Sequence, residues 1–167
     1  KLGITINWST HWSGGYFGEE AVEYIGKERW EEMYQFNPII ESGALVTFSS
    51  DVVSLYELRH RAHPFLGMQI AHTRIDPEIT LPASKYPNGM RPKENAKLSR
   101  KDLLKGYTIS GAKQLHWEDK MGSLEKGKLA NLSILSDNYF EVPEDKIKDI
   151  QFEVVMFEGK VIKGMLK

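Results

Sequence analysis

Apolar and polar positions change rhythm several times along this chain, and each rhythm predicts an element. Ile4 to Trp8 is short and rich in β-branched residues, which predicts a strand. The stretch STHWSGGYFGEE then reads as a loop of Ser, Gly and aromatic residues, ending in acids suited to a helix start. From about Glu19 to Phe36, Val22, Ile25 and Met33 recur near helical spacing with Trp30 beside them, predicting a helix. Asn37-Pro38 ends that helix or separates it from a short one through Ile39 to Glu41. Gly43 leads into Ala44 to Phe48, a near-continuous apolar run. Such a run predicts a strand covered on both faces, the habit of parallel sheets flanked by helices. Strand, helix, strand, helix in this order points to βα units.

Beyond Asp51, SLYELRHRAHPFLGMQIAHTR predicts one or two helices broken near Pro64. Asp76 to Lys97 carries Pro77, Pro82, Pro87, Pro92 and Gly89, the composition of a long surface loop. SRKD then offers a capping box, with Ser99 accepting from the backbone near Asp102 and Asp102 reaching back. The helix after it carries Leu103, Leu104 and Tyr107, and a second helical turn system runs through Ile109, Ala112 and Leu115. The tail changes period. KLANLSIL predicts a strand, and IQFEVVMFEGKVIKG a hairpin turning near Glu158-Gly159. Ile150, Phe152, Val154 and Met156 fall on one face of it, Gln151 and Glu153 on the other. The expected organisation is an α/β segment over residues 1–120 and a β segment over 121–167.

Composition narrows the partners. With 41% hydrophobic and 27% charged residues among 167, the chain has the make-up of an ordinary soluble domain. A formal net charge of -1 exerts no global pull on nucleic acid or an anionic membrane. No apolar run is long enough to span a bilayer, and KLGITINW has no cleavage site after it, so no signal peptide is read. The absence of cysteine removes disulfides and thiolate ligands from consideration. Cytoplasm is the default location. The chain opens without an initiating Met and already inside a strand, so the numbering is expected to begin partway through a larger protein.

One residue raises a chemical question. The apolar run of GALVTFSSDVV ends in two serines and a carboxylate, Asp51. A carboxylate at the mouth of a buried strand is costly unless it is paired. The alternatives are a salt bridge, the N-cap of the following helix, or a metal ion.

GALVTFSSD, GMQIAHTR, LLKGYTISGAKQL, MGSLEKGKLANLSIL and IQFEVVMFEGKVI, in that order, resemble the C-terminal part of the amidohydrolase superfamily. The match is nearest to amidohydrolase family 3, whose members include formamide deformylase-like and exoenzyme regulatory proteins. The resemblance implies the C-terminal part of a metal-dependent hydrolase (β/α)₈ barrel plus strands of an accessory β-sandwich. Ile4 to Trp8 would be the seventh barrel strand, with Asp51 closing the eighth as metal ligand and proton acceptor for the attacking water. The implied cofactor is a divalent cation, zinc by expectation, and the implied substrate a small molecule with a non-peptide C–N bond. The family's His-x-His pair and remaining ligands have no counterpart here, so the metal site in this chain is expected to be incomplete and the chain alone inactive. The missing N-terminal half of the barrel is then an expected partner. Uncovered strand edges, and apolar helix faces around Val22, Ile25 and Met33, predict self-association. The competing reading is a non-catalytic binding or regulatory module on the same scaffold.

Other residues divide between site and scaffold. His11 and Trp12, just past the first strand, and Arg74 in HTR are the substrate-contact candidates, Arg74 for a carboxylate. The competing readings are a loop histidine without a fixed role, tryptophans (Trp8 and Trp12) packed against neighbouring loops, and an ion pair from Arg74 bracing the loop. His60 and His63 lie three apart without the Glu of a zinc helix, and His116 follows a helix end. His60 and His63 read as solvated or capping, and His116 as structural. GSLEKGKL, Gly122 to Leu129, approaches a phosphate-loop pattern. Leu129 replaces the magnesium-binding hydroxyl, and a strand follows where a helix is needed, so a tight turn is expected.

Overall fold

The computed structural model describes residues 3–15, 19–51 and 60–166. Two parallel strands, β1 (Thr5–Ser9) and β2 (Leu45–Ser49), pair in register from Thr5 opposite Leu45 to Ser9 opposite Ser49. The connection between them is helical: α1 (Val22–Ile25), α2 (Lys27–Glu31) and α3 (Asn37–Glu41). The single helix expected from Glu19 to Phe36 is therefore broken. Gly26 breaks it at φ +81°, a conformation glycine adopts without steric cost. The faces around Val22, Ile25 and Met33 are partly covered, while Tyr24 stays exposed. Ala21, Val22, Ile25 and Met33 pack on buried Trp30, Leu81 and Tyr86, two of which come from the stretch 76–97. That stretch is accordingly more than surface loop. Asp76, Leu81, Tyr86, Arg91 and Ala96 are all buried, and two short 3₁₀ turns, Pro87–Gly89 and Glu94–Ala96, punctuate it.

The middle of the molecule is α4 (Pro64–Thr73), with Pro64 at its first turn and nearly every residue buried. A helix apolar on all sides must be surrounded. The 3₁₀ turn Thr10–Ser13, α5 (Arg100–Tyr107) and the 3₁₀ turn Glu144–Asp149 surround it. Ser99 caps α5 as expected: its hydroxyl accepts from the Asp102 N–H at 3.0 Å and donates to the Asp102 carboxylate at 2.6 Å. The Asp102 side chain thus meets the Ser99 hydroxyl rather than its backbone N–H. A second short helix, α6 (Ile109–Gln114), follows.

The tail forms a three-stranded antiparallel sheet, β3 (Leu132–Leu135), β4 (Phe152–Phe157) and β5 (Lys160–Lys163), in the order β3-β4-β5. Glu158 and Gly159, both at positive φ, make the hairpin turn. The stretch Gly122 to Leu129 makes turns at Gly122 and Gly127 and leads into β3, as its sequence implies. One cluster joins the two segments: Val46, Phe48, Phe65, Met68 and Leu103 from the α/β part pack with Tyr139, Ile147 and Ile150 of the tail. Polar stitches reinforce it. The Lys148 N–H donates to the Gln69 side chain at 2.9 Å, and the Arg100 guanidinium donates to the Tyr139 and Val142 carbonyls at 2.7 Å each. Among the described residues no helix is long and apolar enough to cross a membrane.

Candidate functional site

The C-terminal ends of the two parallel strands frame a cleft of about 350 Å³ lined by Asn7, Trp8, Ser9, Trp12, Tyr34, Ser49 and Asp51. Its construction follows from strand alternation. Ile6, Trp8, Val46 and Phe48 join the core cluster with the helices, while Asn7 and Ser9 oppose Thr47 and Ser49 on the other face. There Asn7 donates to the Thr47 hydroxyl at 3.0 Å, Ser49 donates to the Asn7 carbonyl oxygen at 3.1 Å, and Thr47 donates to Gln114 at 2.8 Å. Ser9 donates to the Ser50 carbonyl at 3.2 Å. A polar ladder therefore runs across both strand ends toward Asp51.

Asp51 is exposed, at φ +53°, with one carboxylate oxygen accepting from the Trp12 indole N–H at 3.1 Å. This corrects the premise that the carboxylate is buried. The N-cap alternative concerns residues 52–59, which lie outside the described residues, as does the first half of the helix expected before Pro64.

Trp12 is thus brought to Asp51, and the chain placing it there is tightly threaded. A Cβ on Gly14 would stand 3.0 Å from the Asp76 N–H nitrogen, and one on Gly15 3.0 Å from the Asp76 side chain. Two glycines let the backbone lie against the turn at Asp76. That turn is held from within: the Asp76 carboxylate is fully buried, pairs with Arg61 at 2.5 Å, and accepts from the Glu78 and Ile79 N–H groups at 2.9 and 3.1 Å. Glu78, partly exposed, also meets Arg61 at 2.6 Å and His60 at 3.1 Å.

The other two substrate-contact candidates do not line the cleft. His11 is 4% exposed, and its ring lies beside the Arg61 backbone. Burial pushes its pKa down and the nearby Arg61 charge adds to this, with Asp76 pulling weakly the other way. Arg74 is fully buried, and its guanidinium donates to the carbonyls of Arg91 at 3.1 Å, Tyr34 at 3.1 Å and Pro92. Its donors are engaged inside the protein, so the carboxylate-binding expectation gives way to bracing, through backbone carbonyls rather than an ion pair. Burial, and then the neighbouring Arg91 charge, lower its pKa to about 10, so it stays charged at neutral pH. His60 is exposed; His63 packs its ring against Phe65 and Phe152.

Sequence patterning missed Tyr34, Asn7 and Ser9 among the lining residues. Tyr34 sits at φ +65° outside any helix, and its ring lies 4.9 Å from Trp8 and 6.2 Å from Trp12. Nothing in its local sequence marks it. The Asn7–Ser9 alternation within TINWS was the available signal for a polar strand face.

Comparison with known proteins adds the following. A family model described as "Amidohydrolase family" matches residues 1–163. Among solved structures, an amidohydrolase from Thermotoga maritima superposes with a TM-score of 0.51 at 21% identity, covering 80% of this chain and 26% of that one. An uncharacterized protein superposes with a TM-score of 0.48 at 17% identity, covering 75% of this chain and 25% of that one. At such identity the first likeness concerns the fold. The chain spans about a quarter of the length of these structures. No curated protein matches it.

Proposed function

The chain belongs to the amidohydrolase family, and from that premise we propose that it forms the C-terminal part of a metal-dependent hydrolase cleaving a non-peptide, amide-like C–N bond of a small molecule. In this reading β1 and β2 are the seventh and eighth strands of a (β/α)₈ barrel, and residues 121–167 contribute to an accessory β-sandwich. The observation that supports it best is positional. The cleft lies at the C-terminal ends of parallel strands, where catalysis in this architecture resides, and Asp51 stands on its wall.

The donor set is incomplete. Among the described residues no group of three or more His, Cys, Asp or Glu could hold a metal, and Asp51 is the only such side chain lining the cleft. This chain would supply one ligand, with the rest on other polypeptide of the parent protein. A divalent cation, zinc in this reading, supplies acidity when bound, lowering the pKa of a water from ~15.7 toward ~7. Asp51 then has a defined task. Trp12 holds one carboxylate oxygen, and the other is open to accept a proton and return it to the leaving amine. Positioned proton transfer of this kind contributes ~10²–10⁴ in rate.

The test uses the longest native form of the protein, with metal content and hydrolysis of an amide panel measured for wild type and Asp51→Asn. The expected outcome is a fall of ~10²–10⁴ in kcat with the fold intact. Unchanged activity and metal content would remove Asp51 from the mechanism. A wild type that binds amides without cleaving them would favour the non-catalytic module.

A further inference from the structure

Two consecutive residues at the exit of β2 are each gripped by a donor from the chain just after β1. The parallel ladder ends with Ser9 opposite Ser49, and the chain then turns away through Thr10–Ser13. The Ser50 carbonyl stands one residue past the ladder, and the buried Ser9 hydroxyl donates to it at 3.2 Å. Three residues on, within the 3₁₀ turn, the Trp12 indole N–H donates to the Asp51 carboxylate at 3.1 Å. Asp51 takes φ +53°, in the left-handed region that aspartate enters more readily than most residues but still uncommonly. A side chain kept there marks a backbone over-determined by its surroundings, and such places gather at functional sites.

The covalent geometry gives each grip a separate task. The peptide unit joining Ser50 to Asp51 is planar and rigid, so fixing the Ser50 carbonyl fixes the plane that holds the Asp51 N–H. The torsion φ of Asp51 is the rotation between that plane and the rest of the residue, side chain included. A grip on the carbonyl alone does not fix the carboxylate, and a grip on the carboxylate alone does not fix the plane. Ser9 and Trp12 hold one side of this rotation each.

We infer that Ser9 is a positioning residue for Asp51, closing with Trp12 a two-point clamp that aims the carboxylate oxygen not held by the indole; this rests on the hydrolase reading of Asp51 above and adds to it the residue that sets its orientation. Ser9 acts through the Ser50 carbonyl, not on the carboxylate itself. A neutral hydroxyl-to-carbonyl bond of this kind corresponds to about twofold to tenfold in an equilibrium. Ser49 supplies the contrast. Its hydroxyl lies at the same strand end but donates to the Asn7 carbonyl oxygen at 3.1 Å, so it ties the two strands to each other and leaves the Ser50 carbonyl alone.

The experiment measures hydrogen exchange of the Trp12 indole N–H in the isotopically labelled protein. Trp12→Phe assigns its resonance, and Asp51→Ala, which removes the acceptor, sets the rate of the ungripped indole. Ser9→Ala is expected to speed the exchange about twofold to tenfold while circular dichroism shows an unchanged fold. Ser49→Ala is expected to leave the rate at its wild-type value. Should Ser9→Ala fail to fold, Trp12→Phe opens the clamp from its other side, and the backbone N–H order parameter of Asp51 is expected to fall. A wild-type rate in Ser9→Ala, an equal increase in Ser49→Ala, or an Asp51 order parameter unmoved by Trp12→Phe would overturn the inference. In the longest native form, Ser9→Ala should lower kcat by a similar factor with KM little changed, as expected for a residue that orients the reacting group. The exchange readout needs no turnover, so the two readings fail separately. Faster exchange in Ser9→Ala with full activity in Asp51→Asn counts against the hydrolase role of Asp51 alone. Activity lost in Asp51→Asn with wild-type exchange in Ser9→Ala counts against this inference alone.

Discussion

Removing the Asp76 carboxylate should damage this protein far more than removing its neighbour Glu78, although both contact the same arginine. Asp76 is 0% exposed, and the Arg61 side chain facing it is 6% exposed, so the pair is dry. Truncation to alanine leaves a buried guanidinium and deprives two backbone N–H groups, at Glu78 and Ile79, of their acceptor. Breaking one side of a buried pair typically costs ~3–5 kcal/mol. Arg61 retains Glu78 at 2.6 Å, so the lower end, about 3 kcal/mol, is the expected value for Asp76→Ala. Glu78 is 38% exposed, and its pairing with Arg61 is screened by solvent, so Glu78→Ala should cost about 0–1 kcal/mol. Urea unfolding reads the difference: with m near 1–3 kcal/mol/M, a 3 kcal/mol loss moves the midpoint by roughly 1–3 M. Should Asp76→Ala fail to fold, Asp76→Asn, which keeps an acceptor for the turn, gives an intermediate loss. A cycle with Arg61→Met isolates the coupling. Because Gly14 and Gly15 lie against the Asp76 turn, Trp12 fluorescence should also change in the Asp76 variants and not in Glu78→Ala. Equal costs for the two alanine variants, or a loss below about 1 kcal/mol for Asp76→Ala, would refute the claim that burial decides this network.

Two further outcomes are expected. Gly106 lies within α5, where alanine would ordinarily add about 1 kcal/mol of helix propensity. A Cβ there would instead enter the Phe48 ring, so Gly106→Ala should destabilise by about 1–3 kcal/mol in thermal or urea unfolding; a stabilised variant would show that Phe48 yields. Burial lowers the pKa of His11, and burial followed by the Lys163 charge lowers that of His63. Below about pH 6.5 the unfolded chain then takes up protons that the folded chain does not. Stability falls as pH drops through the window between the unfolded and folded pKa values, at up to about 1.4 kcal/mol per unit for each histidine. Urea midpoints at about pH 7.5 and 5.5 for wild type and His11→Gln check this. A wild-type slope no steeper than the variant's would sink it.

Features set by a few adjacent residues were legible in the sequence. The Ser99 cap needs only Ser99 and Asp102, and the hairpin turn needs only two residues that accept positive φ. Continuous apolar character in β2 marked a strand of a parallel pair, and the structure pairs it with β1 over five positions. Single backbone conformations were harder to read. Gly26 breaks a periodic run that looked like one helix, because periodicity registers side-chain faces and not a lone φ. The sequence also presented Asp51 as a carboxylate at the end of an apolar strand, and its family resemblance was confirmed over residues 1–163.

The make-up of the cleft was a matter for three-dimensional packing. Trp12 and Asp51 are 39 positions apart, and Tyr34 reaches the same cleft from a non-helical position. Arg74, equally plausible on sequence as a substrate contact, is instead enclosed among carbonyls of residues 34, 91 and 92. The physical reason is that local backbone preference and hydrophobic period act over one or two turns of chain. Whether a polar side chain ends in water, in a cleft or against buried carbonyls depends on which distant segments displace solvent around it. Phe48 against Gly106, and Asp76 against Gly14 and Gly15, are contacts of that second kind. The second of these lies two and three residues beyond Trp12, which lines the cleft.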